Sequence, residues 1–518
     1  MSKNNQWENK LYFGDNLEIL RDKIPGNFVD LIYLDPPFKS GKTYNIIFQP
    51  EAGEIKGATA QIQTFEDTWK WGIEAEKNYE GLIRGTITKE KPGQKLIDLM
   101  KAMRNYLGEK IPMMAYLSMM APRLLEMRRV LKNTGSIYLH CDPTASHYLK
   151  LLMDSVFGVG NFRNEIVWLY KGRELSHKNY SRKHDIVFFY TKSDNYTFNW
   201  EKILEPLEES SRKALARYKD EKGYFIVRYK KGGGFAPIEK EGKDTYRQYV
   251  PEGVPPRDWF YADYARKSEQ VGYPTQKPEA LLERIIKASS NKGDLVLDPF
   301  CGCGTTVAVA QKLGRRWMGI DITYLAIDII SKRLKKPIFG KIPIFGIEGE
   351  PKDVYSAKKL AQKDPFQFQL WCISKLDATP SQTKSGDEGV DGIINFVDLT
   401  KKGKAGKGII QVKGTENVNP SMVRDLKGTL KSQNADFGIL ISFRKPTPGM
   451  IVEAAKEGYH QFGYTPNNPQ YKIPKIQFLT IEDLFKEPLP IIFPPILSTL
   501  SSYKKPTIVE SKEQSELF

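Results

Sequence analysis

Apolar residues follow two rhythms along this chain. Short unbroken runs, Val29-Asp30-Leu31-Ile32-Tyr33-Leu34, Ser136-Ile137-Tyr138-Leu139-His140, Ile186-Val187-Phe188-Phe189-Tyr190, Leu295-Val296-Leu297 and Trp317 to Ile320, predict buried strands. Between them, apolar positions three and four apart predict helices over Tyr116 to Leu131 with Pro122 interrupting, Tyr148 to Phe157, Leu281 to Ala288 and a last one to about Leu334. Gly135 is placed at the end of the first helix. Leu11 to Phe38 reads as strand, turn, short helix, strand. This alternation predicts a doubly wound α/β sheet.

Composition sets the partners. The chain has 518 residues, enough for two or three domains. Its 78 Lys and Arg outnumber 62 Asp and Glu, leaving a net charge of +16. That excess suits a polyanion, because each phosphate neutralised releases counterions; charge alone fits an ordinary basic protein equally well. Four cysteines (Cys141, Cys301, Cys303, Cys372) and five histidines form no zinc pattern, since the one Cys-x-Cys lacks a second pair. Free thiols, a polar N-terminus and the absence of a membrane-length apolar run predict a cytoplasmic protein with no membrane partner.

The sheet pattern breaks at defined places. Residues 39–110 are rich in Gly and charge, with aromatics at Phe65, Trp69, Trp71 and Tyr79; they predict an insertion with some helix, either a nucleic-acid clamp or support for the core. Residues 193–270 interleave Lys and Arg with Tyr and Gly, including Arg228-Tyr229-Lys230-Lys231-Gly232-Gly233-Gly234, a mixture that binds phosphates and stacks on bases, though a solvated insertion has the same look. Residues 335–364 read as a Lys/Pro/Gly-rich linker. A second domain is predicted over 365–485, and a Pro/Ser/Lys-rich tail over 486–518.

Two loops carry the chemistry. Leu34-Asp35-Pro36-Pro37-Phe38 and Leu297-Asp298-Pro299-Phe300-Cys301-Gly302-Cys303-Gly304-Thr305-Thr306 each follow a predicted strand, where ligands sit in open α/β sheets. In the second, Phe300-x-Gly302-x-Gly304 places small residues where backbone passes close to a ligand. Asp321 ends the next strand about 20 residues on, the interval of an acid gripping ribose hydroxyls. The loop lacks the full Gly-x-Gly-x-x-Gly of dinucleotide binders. Phe38-Lys39-Ser40-Gly41-Lys42-Thr43 ends like a phosphate loop, but Pro36 stands where its first glycine belongs, so no ATP-driven motor is expected.

With their order, catalytic loop before cofactor loop, these segments resemble the β group of DNA amino-methyltransferases, which modify adenine N6 or cytosine N4. Tyr12-x-Gly14-Asp15-Asn16-x-x-x-x-Leu20, Arg129-Val130-Leu131-Lys132, Gly135-Ser136-Ile137-Tyr138, His184-Asp185-Ile186-Val187 and Thr275-Gln276-Lys277-Pro278 extend the resemblance over residues 10–334. It implies a Rossmann-like S-adenosylmethionine-dependent methyltransferase sheet over 1–334, with 193–270 as target-recognition region. It also implies cofactor contacts from Asp15, Asn16, Lys277, Asp298, Phe300, Gly302, Gly304, Thr305, Thr306 and Asp321, and catalysis by Asp35, Pro36, Pro37 and Phe38 on a base swung out of double-stranded DNA. The exocyclic nitrogen is a poor nucleophile, its lone pair being delocalised into the ring. Asp35 and the Pro36 carbonyl can accept its two N–H bonds, the consecutive prolines fix that carbonyl's aim, and Phe38 can stack on the base. Phe38 stands where Tyr is commoner. Asp rather than Ser at 35 leans towards adenine, although the group blurs that rule.

The second domain brings Asp391, in Gly386-Asp387-Glu388-Gly389-Val390-Asp391-Gly392, towards Gln411-Val412-Lys413 on a neighbouring strand. Helix Pro420 to Lys431 and strand Phe437 to Ser442 follow. This resembles the PD-(D/E)xK nuclease fold in its Mrr-like branch, an α/β unit. The resemblance implies Mg²⁺ held by Asp391, Gln411 and the Val412 carbonyl, with Lys413 positioning water. Gln411 in place of an acid weakens the metal site by one charge; Gln369 stands nearest a missing upstream acid, and Asp387 offers compensation. Three readings stay open: a fused restriction–modification enzyme, a methyltransferase with a nuclease-like module that binds DNA without cutting, or a basic binding protein with decayed sites. The recognition sequence and oligomeric state are not legible.

Overall fold

The computed structural model describes residues 8–37, 43–48, 60–66, 71–108, 111–171, 177–178, 180–250, 253–265, 269–271, 273, 275–335, 343–381, 389–396, 406–462 and 471–491. Phe38, Trp69, Pro274, Asp387 and the tail from 492 lie outside them.

The chain opens with β1 (Asn9–Phe13), α1 (Asn16–Lys23) and β2 (Val29–Leu34). Asp15 starts α1, its carboxylate accepting from the N–H groups of Leu17 and Glu18. After a hairpin (Thr43–Phe48 with Ala60–Glu66) come α2 (Ile73–Ile83), α3 (Gln94–Leu107) and α4 (Pro112–Val130). Then follow β3 (Leu131–Cys141), α5 (Pro143–Phe157), β4 (Phe162–Leu169), β5 (His184–Thr191) and, beyond an inserted region, β6 (Trp259–Tyr261). The domain continues through α6 (Glu279–Ser289), β7 (Leu295–Asp298), α7 (Thr305–Lys312), β8 (Arg316–Asp321) and α8 (Tyr324–Leu334).

These strands and β9 (Phe345–Glu348) form one nine-stranded sheet, ordered β6-β4-β5-β3-β2-β7-β8-β1-β9. All pairings are parallel except those of β5 with β3 and β4. β2 and β7 are buried along most of their length because helices cover both faces, hence their unbroken apolar runs. Val296 pairs with Leu31 and Leu297 with Ile32, so the two loops read as functional leave adjacent parallel strands at the same end.

α4 departs from its predicted form. It runs through Pro122, which is buried with nearly every other residue of the helix. Packing all round outweighs the hydrogen bond that proline cannot make. α4 ends at Val130, and Gly135 lies inside β3 rather than capping the helix. A Cβ there would come 2.7 Å from Leu131 Cδ1 and 3.0 Å from the Asp30 carbonyl, so only glycine fits that crossing. In the 39–110 insertion, Tyr79 belongs to the main core and Trp71 packs edge-on against it, with Arg104 over both rings. Those two aromatics support the core.

The 335–364 passage contains β9, which pairs with β1, and α9 (Val354–Lys363), started by a reciprocal Asp353–Ser356 capping box. Beyond it lie α10 (Pro365–Ser374), β10 (Thr379–Pro380), β11 (Gly392–Phe396), β12 (Gly406–Lys413), α11 (Pro420–Ser432), β13 (Phe437–Ser442), α12 (Pro448–Ala455) and β14 (Ile476–Thr480). The five strands make a sheet in sequence order. One apolar cluster joins Tyr324, Leu325 and Ile329 of α8 to Phe368, Leu370, Trp371 and Ile373 of α10, so the two α/β units share a core. No helix among the described residues is long and apolar enough to cross a membrane.

Candidate active sites

A cavity of about 690 Å³ opens beyond the carboxyl ends of β2, β7, β8 and β1. Its lining includes Asp15, Asn16, Asp35, Pro36, Pro37, Lys277, Asp298, Phe300, Gly302, Thr305, Thr306 and Asp321, so the sheet assembles around one space nearly every described residue that the sequence singled out here. Gly304 lies in the same loop, just behind the lining.

The glycine loop is built by backbone needs as well as by nearness to a ligand. Gly302 and Gly304 have φ of +48° and +72°, a region costly for side chains. A Cβ on Gly304 would lie 2.6 Å from Ile330 Cγ1, which would push α7 away from α8. Asp321 organises the loop: its carboxylate accepts from the Gly302 N–H at 2.8 Å and from the N–H and hydroxyl of Thr323 at 2.9 and 2.8 Å. Its backbone carbonyl accepts from the Gly14 N–H at 2.9 Å, tying β1's loop to β8. Burial raises the pKa of Asp321, and burial with added repulsion from Asp35 and Asp321 pushes Asp298 up to about 7. Burial also raises the Cys301 and Cys303 thiols, which disfavours thiolate chemistry.

Asp15 and Asn16 brace the site. Arg123, buried on α4, donates to the carboxylate of Asp15 and the amide oxygen of Asn16, at 2.6 and 2.5 Å. Asn16 in turn donates to the Pro299 carbonyl at 2.8 Å, cross-linking the β1 loop to the glycine loop. Sequence reading did not pick out Arg123. Its one signal was a charge inside an apolar helical stretch, which signals a partner.

Lys277, expected with the cofactor, places its ammonium 2.8 Å from the Asp35 carboxylate. Behind Asp35 runs a polar chain also absent from the sequence reading: Tyr33 Oη to His140 Nδ1 at 2.9 Å, His140 Nε2 to Asp185 at 3.1 Å, and Tyr170 Oη to Asp185 at 3.2 Å. Burial is the largest influence on Asp185 and opposes its ionisation, but the hydrogen bonds from His140 and Tyr170 and the nearby positive charge of Lys277 together outweigh it and hold the carboxyl below the usual range. The chain satisfies buried polar groups that would otherwise be costly beside the Asp35 loop.

In the C-terminal sheet, Asp391 precedes β11 and faces β12. Its carboxylate accepts from Gln369 Nε2 of α10 at 2.9 Å and from the Val412 N–H at 2.5 Å. Gln411 and Lys413 share the other orientation along β12, and Gln411 Oε1 is buried without a hydrogen-bond partner. Asp391, Gln411 and Lys413 thus lie at the same end of the sheet; Gln369 bonds Asp391, while the Gln411 amide nitrogen donates to Thr429 of α11. Among the described residues no group of three or more His, Cys, Asp or Glu is clustered for a metal.

The inserted region contains a separate antiparallel sheet built on Gly223–Tyr229 and Thr245–Tyr249, with a small core of Phe225, Val227 and Ala236. Arg217 and Arg228 lie over Phe235, and the Lys230–Gly234 turn is exposed.

Residues 29–332 match the N6/N4 methyltransferase family model, described as DNA methylase, and residues 360–460 match the Mrr catalytic model, described as restriction endonuclease. The first match covers more than half of the chain: the protein belongs to the DNA methylase family and carries a restriction-endonuclease domain. It is 30% identical to the DNA adenine methyltransferase YhdJ of Escherichia coli over 327 residues, covering 62% of this chain and 81% of the relative. It is 32% identical to the type II methyltransferase M.EcaI of Enterobacter cloacae over 274 residues, covering 44% of this chain and 59% of that protein. A solved cytosine-N4-specific PvuII DNA methyltransferase aligns at 13% identity with TM-score 0.37, over 65% of this chain and 94% of the other.

Proposed function

We propose that the N-terminal domain methylates adenine N6 in double-stranded DNA and that the C-terminal domain cuts DNA, in one restriction–modification polypeptide. The observation that carries this reading is the cavity shared by Asp35 at the end of β2 and the Asp298–Thr306 loop at the end of β7. Two buried acids on its wall, both with raised pKa, suit a ligand bearing positive charge and hydroxyl groups, and S-adenosylmethionine has both. Asp298, Phe300, Gly302, Gly304, Thr305, Thr306 and Asp321 would hold it, and when bound it supplies an activated methyl group. Asp35 and the Pro36 carbonyl draw the amine's N–H bonds and orient its lone pair; Phe38 stacks on the flipped base. Adenine rather than cytosine is favoured by Asp at position 35 and by YhdJ, itself an adenine methyltransferase.

At the second site, Asp391, the orphaned Gln411 Oε1 and the Val412 carbonyl fit one hard cation, with Mg²⁺ the natural occupant. Such an ion polarises a phosphate; Lys413 orients water and meets developing negative charge. Gln369, donating to Asp391 where an acid would add charge, favours a second reading of a module that grips DNA without cutting. The inserted sheet with its exposed basic turn serves as target reader for both domains, so methylation protects the site that is cut.

Sequencing of modified bases in DNA from cells expressing the protein tests the first activity: N6-methyladenine at one short motif is expected, and none with Asp35→Ala. Plasmid unmethylated at that motif, incubated with protein and Mg²⁺, should be cleaved by the wild type and left intact by Lys413→Ala, with methylation unchanged. An uncut plasmid under every cofactor condition sinks the nuclease and leaves the binding module.

A further inference from the structure

We propose that Asp35 and Lys277 act as one acceptor–donor pair that reads the ring edge of the target base, with Lys277 donating to the ring nitrogen beside the exocyclic amine. This rests on the methyltransferase reading above. Lys277 Nζ stands 2.8 Å from Asp35 Oδ2, and the two side chains are only 13% and 17% exposed. Both are held by the segments that carry them. Asp35 is followed by two prolines, which restrict the backbone around it. The segment before Lys277 is clamped by Gln276, whose amide oxygen accepts from the Val271 N–H at 2.9 Å and whose amide nitrogen donates to the Glu269 carbonyl at 2.8 Å. Glu269 also accepts from the Glu279 N–H at 3.0 Å, fixing the start of α6 just beyond Lys277. The spacing of acceptor and donor is therefore set by the fold before any base arrives.

The chemistry of the pair selects a base type. Adenine shows a donor (N6–H) beside an acceptor (N1), and cytosine likewise N4–H beside N3. A carboxylate next to an ammonium is the complement of both. Guanine and thymine present the reverse, a carbonyl oxygen beside a ring N–H, which would set oxygen against Asp35 and N–H against Lys277. Mismatched buried polar groups are rejected far more strongly than mismatched shapes. An ammonium has three N–H donors, so its bond to Asp35 does not exhaust it. Among the described residues lining the cavity, the other cation is Arg123, which is engaged by Asp15, Asn16 and the Met119 carbonyl. Lys277, lining the cavity with its ammonium beside Asp35, is the cation placed to meet a base whose amine reaches Asp35. Its part is to orient and select; the pull on the amine stays with Asp35 and Pro36.

The test uses duplexes carrying the motif found by modified-base sequencing, with the target as adenine or as 1-deazaadenine, which keeps the amine but replaces N1 by C–H. Methyl transfer from labelled S-adenosylmethionine gives kcat/KM for the wild type, Lys277→Met and Lys277→Arg. The wild type should lose about 10- to 100-fold on the deaza base, the range for one buried hydrogen bond to a charged group. Lys277→Met should lose a similar factor on adenine, with little further loss on 1-deazaadenine, and Lys277→Arg should regain part of the discrimination. Calorimetric affinity for the cofactor should be nearly equal in all three. A wild type indifferent to the deaza substitution overturns the proposal, whatever the variants do. So do additive losses together with weakened cofactor binding in Lys277→Met, which would return Lys277 to the cofactor. A wild type that labels no adenine at all overturns the underlying reading instead.

Discussion

Asp298 lies 3% exposed beneath the cavity, and its carboxyl titrates near 7 instead of its ordinary 3.8 because burial and the neighbouring acids disfavour its charge. A raised folded-state value means that the neutral form stabilises the fold. That contribution is complete below about pH 3.8 and is lost as pH rises through about 7. Asp298→Asn cannot ionise, so the wild type should lose stability relative to it between these limits, by about 1.4 kcal/mol per pH unit. Thermal melts of both proteins from pH 4 to 8 check this; a gap that stays constant with pH would show an ordinary carboxyl. The same residue is why the cavity suits a cationic ligand. A bound positive charge should restore the ionised form, making cofactor stabilisation larger at pH 8 than at pH 5.

The turn from β7 into α7 is tightly constrained. Gly304 carries a left-handed backbone at the helix N-cap and faces Ile330 of α8. Gly304→Ala should cost about 1–2 kcal/mol for the backbone and about 1–3 kcal/mol for displacing Ile330. A lower melting temperature with reduced cofactor affinity is the expected result. An unchanged melting temperature would mean that α8 yields freely. α4 teaches the opposite lesson about local rules: Pro122 and Arg123 sit in mid-helix, and packing and buried partners accommodate both.

Across the whole molecule, α8 links the two α/β units. Its N-terminus follows Asp321 and Thr323 at the cavity, and the Tyr324 N–H donates to Gln367 of α10 at 2.7 Å. Two residues further along α10, Gln369 holds Asp391. A chain ending at Leu334 would lose this cover as well as β9, leaving Tyr324, Leu325 and Ile329 without their partners. At about 1.5–3 kcal/mol for each large apolar side chain uncovered, the truncated methyltransferase domain should melt at lower temperature and aggregate more readily than the full chain. Equal melting temperatures would mean that the shared cluster contributes little. The described 343–364 segment, with β9 and α9, makes the boundary a packed interface.

Much of this was legible in the chain. Unbroken apolar runs set the strands, because strands covered on both faces need no polar alternation. Asp35-Pro36-Pro37-Phe38, the glycine loop and Asp321 were legible because tight turns at strand ends demand particular residues at short spacing. Asp391 with Gln411-Val412-Lys413 was legible for a similar reason, on adjacent paired strands of one small sheet. Partnership across long separations was not. Lys277 and Asp35 are 242 positions apart (277 − 35), and nothing local in either segment announces a 2.8 Å ion pair. Arg123 holding Asp15, the Tyr33–His140–Asp185 chain, Pro122 inside α4 and the core shared by α8 and α10 are of the same kind. By itself the sequence determined which residues lie at which strand ends and hence the class of chemistry. The order of the strands in the sheet alone decided which of those residues face one another, because buried charges must find their partners in space rather than along the chain.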